Sequence, residues 1–243
     1  MREQTIAFAS QGREFNALVV ESEDSATAAI RPGVLVLHGG SGVGEHERER
    51  AKRLAALGYV ALVPDLFGEE FTSRERGIEV ITRLVAEPSA LRARTREALA
   101  ALASRPRVDS ARLAAIGFCF GGFAALELAR SGASLRVVVC FHGKLTSSAP
   151  ADVDAVSAAL LVCTGAADPF VTREQRSEFE DEMTRARADW QLNIYANARH
   201  GFTERSLIKH PTPRPGSGYD EAADHRSWEA MLALFAERLS PGQ

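Results

Sequence analysis

Apolar residues in this chain fall into short, nearly unbroken runs, separated by longer stretches in which they recur every three or four positions. Residues 33–38, 113–117, 135–141 and 159–164 are such runs. A run of that length flanked by turn-forming residues reads as a strand buried on both faces. Residues 59–63, closed by Pro64, and 190–195 read as further strands, and 5–9 with 15–20 as a hairpin through Gln11-Gly12. Helical spacing covers 45–57, with Gly58 as its C-cap, then 73–86 and 89–104, divided by Pro88. It returns over 121–130, 172–187 and 220–239, the last a long amphipathic closing helix. Strands alternating with helices predict a mostly parallel, doubly wound sheet of about eight strands in one domain spanning the chain. Ligands of such sheets bind beyond the carboxyl ends of the strands, so the residues just after each strand are the ones that matter.

Composition narrows the classes. With 243 residues and 45% hydrophobic content the chain supports one large core, and a formal charge of -3 offers nothing to a nucleic acid. No stretch approaches the roughly 18 apolar residues that span a bilayer, and no signal peptide is visible. Cys119, Cys140 and Cys163 are odd in number and lie in or beside apolar runs. That argues for a reducing, cytoplasmic location over a disulfide framework, with Cys140 and Cys163 as core residues.

The strongest chemical signal is Gly117-Phe118-Cys119-Phe120-Gly121, a Gly-x-nucleophile-x-Gly turn between a buried strand and a helix. Its helix N-terminus favours a thiolate. Two other strand ends carry complementary groups, Asp168 in Gly165-Ala-Ala-Asp168-Pro and His200 in Ala198-Arg-His200-Gly. Nucleophile, acid, histidine is the chain order of an α/β-hydrolase triad: His200 exchanges the proton of Cys119, and Asp168 fixes the imidazole. The glycine-rich loop His38-Gly39-Gly40-Ser41-Gly42-Val43-Gly44 follows the first long buried strand. The amides of Gly40 and Phe120 are the expected oxyanion hole. The loop fits neither nucleotide-binding glycine pattern, and His46-Glu47-Arg48-Glu49-Arg50 lacks the second histidine of a zinc helix, so no metal is expected. His38 is expected to pack or hydrogen-bond under the loop, and Asp65 to order its own loop. Phe67 and His142 are placed at the pocket wall. Arg74, Arg76 and Arg83 read as solvated helix charges.

Gly-Phe-Cys119-Phe-Gly-Gly, Val63-Pro-Asp65-Leu-Phe-Gly68, Gly-Ala-Ala-Asp168 and His200-Gly-Phe202 together resemble the dienelactone hydrolase family. The likeness runs from about Val34 to Leu239. It implies an α/β-hydrolase fold, a Cys119–His200–Asp168 triad, no cofactor, and hydrolysis of an enol lactone in the degradation of aromatic compounds. The family places a glutamate beside the resting thiol, where this chain has Gly39, and arginines on the substrate carboxylate, one of them near the position of Arg205. Gly39, Phe67, His142, Phe202 and Arg205 are accordingly the candidate substrate contacts. Without a substitute carboxylate, a standing Cys119–His200 ion pair is expected. The reading is a monomeric or homodimeric hydrolase of a small ester or lactone. The alternatives are a general carboxylesterase or thioesterase, and a small-molecule binder without turnover.

Overall fold

The computed structural model describes residues 1–23, 29–210 and 214–240. Among them, eight strands join in one sheet: β1 (Arg2–Ser10), β2 (Arg13–Glu21), β3 (Arg31–Leu37), β4 (Val60–Pro64), β5 (Val108–Phe118), β6 (Val137–Phe141), β7 (Ala159–Gly165) and β8 (Trp190–Tyr195). Their spatial order is β1-β2-β4-β3-β5-β6-β7-β8. The pairs from β4 through β8 are parallel, and β1 and β2 add an antiparallel edge. The hairpin turns on Gln11 and Gly12, both with positive φ (48° and 73°), the backbone that matches the twist of paired strands.

Alternation within β3 explains why it looks uniformly apolar in sequence. Leu35 and Leu37 enter one core, and Val34 and Val36 enter the other. The first core is roofed by helices α2 (Arg74–Ala86), α3 (Pro88–Ala103), α4 (Phe120–Arg130) and α5 (Arg173–Arg185), through residues such as Leu91, Phe123 and Phe179. The second lies under α1 (Glu45–Ala56) and α6 (Glu221–Arg238), through Leu54, Met231 and Phe235.

Three boundaries differ from the sequence pattern. Pro88 is the first residue of α3 rather than a gap between helices, because the first helical turn has no use for its missing N–H. β5 starts at Val108, five residues before its apolar run, since Asp109, Ser110 and Ala111 are largely solvent-facing. β1 begins at Arg2, where pairing with β2 holds an exposed edge that carries no hydrophobic signal. A short 3-10 helix, Arg205–Ile208, was not anticipated.

One buried polar cluster fixes the connection that leaves β6. Arg130 at the end of α4 is fully buried and reaches Glu127 at 2.9 Å and Glu182 of α5 at 2.8 Å, and it also donates to the Leu145 carbonyl. Glu182 accepts the Ala151 N–H as well, and Arg92 of α3 completes the set on Glu127 at 2.8 Å. Removing the central cation would leave the buried Glu127 with Arg92 alone and Glu182 with the Ala151 N–H alone. Arg130→Ala is expected to lower unfolding free energy by about 3–5 kcal/mol in urea titration, whereas a loss under 1 kcal/mol would show that the cluster is solvated.

Candidate active site

The turn between β5 and α4 is shaped by backbone crowding. A Cβ on Gly117 would overlap the carbonyl of Gly121, and one on Gly121 would overlap the carbonyl of Leu37 in β3. Only glycine lets the helix start this close to the sheet. The chain between them is forced into φ 54°, ψ -114° at Cys119, a left-handed conformation unusual for a residue with a side chain. Two acceptors meet the Cys119 N–H: the Phe141 carbonyl at 3.0 Å and His142 Nδ1 at 3.2 Å. Phe120, the first residue of α4, has an amide without an intrahelical acceptor.

From this turn the sulfur faces His200, with Sγ to Nε2 at 3.0 Å, and His200 Nδ1 lies 2.9 Å from Asp168 Oδ2. The other oxygen of Asp168 accepts the Phe170 N–H at 2.8 Å, so the buried carboxylate is anchored on both sides. The His200 backbone is clipped to the 216–218 segment: its N–H donates to the Gly216 carbonyl at 3.1 Å, and its carbonyl accepts from Gly218 at 3.0 Å. Its ring lies between the edges of Phe170 and His142, with centroids 5.1 and 5.3 Å away. Burial disfavours a charged imidazole. The hydrogen bonds and charges of Asp168 and Cys119 more than offset that, so His200 is pushed up to about 10.

The neighbouring histidines go the other way. His38 is wholly buried under the glycine loop, with Nε2 accepting the Leu66 N–H and Nδ1 facing the Gly39 carbonyl, each at 2.8 Å. Burial lowers its pKa and keeps it neutral. The loop itself is pinned by Glu47 of α1, which accepts the N–H groups of Gly39 at 3.2 Å and Gly44 at 2.9 Å.

The carboxylate that the sequence appeared to lack at position 39 arrives from elsewhere. A Cβ on Gly39 would stand 3.8 Å from Cys119 Cβ and 3.9 Å from Glu204 Oε1. Glu204, four residues after His200, thus fills the space beside Gly39. Burial first, and then the charge of Glu47, raises its pKa; His200 opposes both. In sequence the loop after His200 offered Arg205 alone as a candidate contact. The signal for Glu204 was its short distance from the histidine.

A cavity of about 1060 Å³ opens over the sulfur, bordered by Cys119, Phe120, His200 and Gly40. The five candidate substrate contacts are not among its lining residues. Gly39 backs onto the turn. Phe67 is buried against His38, Phe71 and Phe120, because the chain bends inward after β4. His142, at φ 42°, folds its ring beneath Cys119, and Phe202 packs under that ring with no exposure. Arg205 turns outward and bonds the Tyr219 hydroxyl. The basic side chains at the cavity are instead Lys144, Arg214 and Arg74, the last an exposed helix charge, as expected, that also borders the opening. Arg76 does pair at the surface, with Glu69 and Glu79. Arg214 lies 3.6 Å above the centroid of Phe170. Apolar wall comes from Ile78, Ile81, Val85, Phe123 and Val171, and among the described residues no Asp or Glu lines the cavity. Also among them, no cluster of three metal-ligating side chains occurs, and no helix is long and apolar enough to cross a membrane.

Comparison with known proteins agrees with this architecture. The model of the dienelactone hydrolase family matches residues 15–239. The solved structure called m3DLH superposes with a TM-score of 0.91 at 39% identity, covering 98% of this chain and 99% of that one. A dienelactone hydrolase-like promiscuous phosphotriesterase from metagenomic libraries gives 0.90 at 36% identity, with the same coverage. A Salmonella typhimurium protein provisionally named carboxymethylenebutenolidase is 29% identical over 239 residues, covering 94% of this chain and 84% of its own. The chain has the α/β-hydrolase fold.

The crowding at the turn gives a paired test. Gly121→Ala must displace backbone and is expected to cost about 1–3 kcal/mol of stability. Gly40→Ala meets only the flexible tip of Ile81, at 3.2 Å, and should stay within about 0.5 kcal/mol of wild type by urea unfolding. Equal stabilities for the two variants would contradict the geometry.

Proposed function

Because the chain belongs to the dienelactone hydrolase family, whose members point to an ester or lactone hydrolase, we propose that it works through Cys119, His200 and Asp168 by way of a thioacyl-enzyme. The observation that carries this reading is the continuous relay from sulfur to imidazole at 3.0 Å and imidazole to buried carboxylate at 2.9 Å. The Cys119 thiolate attacks the substrate carbonyl, and the amides of Gly40 and Phe120 receive the oxyanion. The imidazolium of His200 gives its proton to the departing oxygen. Neutral His200 then takes a proton from water as that water attacks the thioester, and collapse of the second intermediate returns the thiolate and releases the acid. Asp168 holds the imidazole in the orientation both steps require.

The cavity suggests the substrate class. Arg74, Lys144 and Arg214 with no opposing carboxylate among the described residues favour an ester or lactone that carries a negative charge, and the apolar wall favours a flat or branched hydrocarbon body. Dienelactone, an enol lactone with a carboxylate, satisfies both and has the good leaving group that a thiolate nucleophile needs. A volume near 1060 Å³ is nevertheless generous for so small a molecule. It supports a second reading in which bulkier activated esters, and phosphotriesters as in the metagenomic relative, are also turned over. A reducing, cytoplasmic setting fits a mechanism that needs the free thiol of Cys119.

Wild type and Cys119→Ala should be compared on dienelactone, an activated aryl acetate and a diethyl aryl phosphate. Loss of ester and lactone turnover by on the order of 10³-fold or more in Cys119→Ala is expected; equal turnover by both proteins would end the cysteine mechanism. Aryl acetate cleavage without dienelactone cleavage would favour a general esterase, and binding without turnover a non-catalytic relative. Lys144→Gln and Arg214→Gln should raise KM for a carboxylate-bearing ester by about 10-fold each, and leave an uncharged one within twofold.

The resting state can be read separately. With His200 at about 10, its imidazolium persists through neutral pH and is lost only as pH climbs through that value. With Glu204 also standing beside Gly39, the pair is tested through its imidazole: His200→Gln is expected to slow iodoacetamide alkylation of Cys119 at pH 7 by about 10-fold or more, and an unchanged rate would mean that no ion pair stands there.

A further inference from the structure

Beneath the nucleophile, three side chains from separate parts of the chain form a buried line that the relay above does not use. His142 follows β6 directly, has no exposed surface, and is bonded at both ring nitrogens. Its Nδ1 lies 3.2 Å from the Cys119 amide nitrogen, and an amide can only donate, so Nδ1 carries no proton. Its Nε2 then bears the hydrogen and donates to Thr203 Oγ1 at 2.8 Å. The Thr203 hydroxyl in turn lies 3.4 Å from His46 Nε2, and the Thr203 carbonyl accepts from Arg50, itself held by Asp224 at 2.6 Å.

Two features separate this arrangement from ordinary packing. The Cys119 N–H already has an acceptor in the Phe141 carbonyl at 3.0 Å, so burial alone does not call for a second. Thr203 also stands three residues after His200 on the same loop. The line therefore ties the turn that carries the sulfur to the loop that carries the imidazole. We propose that His142 is a positioning residue for the hydrolytic reaction: with Nδ1 as acceptor and Thr203 fixing the tautomer, it holds the left-handed Cys119 backbone so that the sulfur meets His200. The proposal rests on the cysteine mechanism above.

Charge follows the same logic. The groups facing His142 are His200, His46 and Arg50, and burial, with the charges of His200 and Arg50, holds it neutral. His46 is itself lowered to about 3 by burial and Arg50. A proton on Nδ1 would confront the Cys119 N–H and place a second cation 5.3 Å from the His200 ring.

The test uses His142→Phe, which keeps a ring and removes the acceptor, His142→Gln, which restores an amide oxygen, and Thr203→Val, which removes only the hydroxyl. Thermal melting reports folding, steady-state kinetics on an activated aryl acetate split kcat from KM, and iodoacetamide reports Cys119 without needing turnover. His142→Phe is expected to melt within a few degrees of wild type and keep KM within twofold, while kcat and alkylation fall about 10- to 100-fold. Thr203→Val should move the same way by a smaller factor, and His142→Gln should recover most of the loss. Wild-type kcat and alkylation in folded His142→Phe, or in Thr203→Val should the first variant fail to fold, would overturn the proposal. So would His142→Gln performing no better than His142→Phe. If Cys119→Ala kept full turnover, the mechanism would fall while the alkylation readout still judged the positioning.

Discussion

Everything at this site depends on how closely the start of α4 is pressed against the sheet. Gly117, Gly121, Gly122 and Gly143 sit where a Cβ would overlap or crowd neighbouring groups, in three cases main-chain atoms and at Gly122 chiefly the sulfur of Cys140. No side chain could relieve a main-chain overlap by rotating. The chain can enter α4 only by passing one residue through a left-handed conformation, and that residue is Cys119. Local strain of about 1–3 kcal/mol is thereby supported by the packing of β3, β5 and β6 around it. The sulfur gains a fixed direction, and the first amide of the helix faces the same space.

That constraint also explains what could be read from the chain. The glycines around Cys119 are a covalent signature of the close approach, so the turn was visible in sequence, as was the chain order that puts Asp168 and His200 just after later strands. Central strands betrayed themselves because both faces are buried, as Val34 and Leu35 show by entering opposite cores. Side-chain direction after a strand was not visible. His142 and Phe67 occupy the expected places along the chain, yet the backbone turns their rings inward. Nor could sequence show that Glu204, four residues after His200, fills the space next to Gly39.

The electrostatic division among the histidines is equally a product of burial and partner. His46 and His142 lie in the interior with neutral or cationic neighbours, and the burial of His38 outweighs the charges of Glu47 and Asp65, so each is driven toward the uncharged form. His200 alone has Asp168 and Cys119 at hydrogen-bond distance, and it goes the other way. One imidazolium among several neutral rings is a stable distribution because His38 and His142 each spend both ring nitrogens on a specific partner and do not compete for the proton.

The three groups of the proposed relay do not share equal support. Cys119 rises from the middle of the sheet, between neighbours on both sides, whereas His200 follows β8, an edge strand paired with β7 alone, on which Ile194 is half exposed. Fraying of that border would carry the imidazole away from the sulfur while the central strands stayed intact. The proposed centre thus spans the middle and one border of a single sheet. Its limit under heat or denaturant is expected at that margin of the molecule and not in its core.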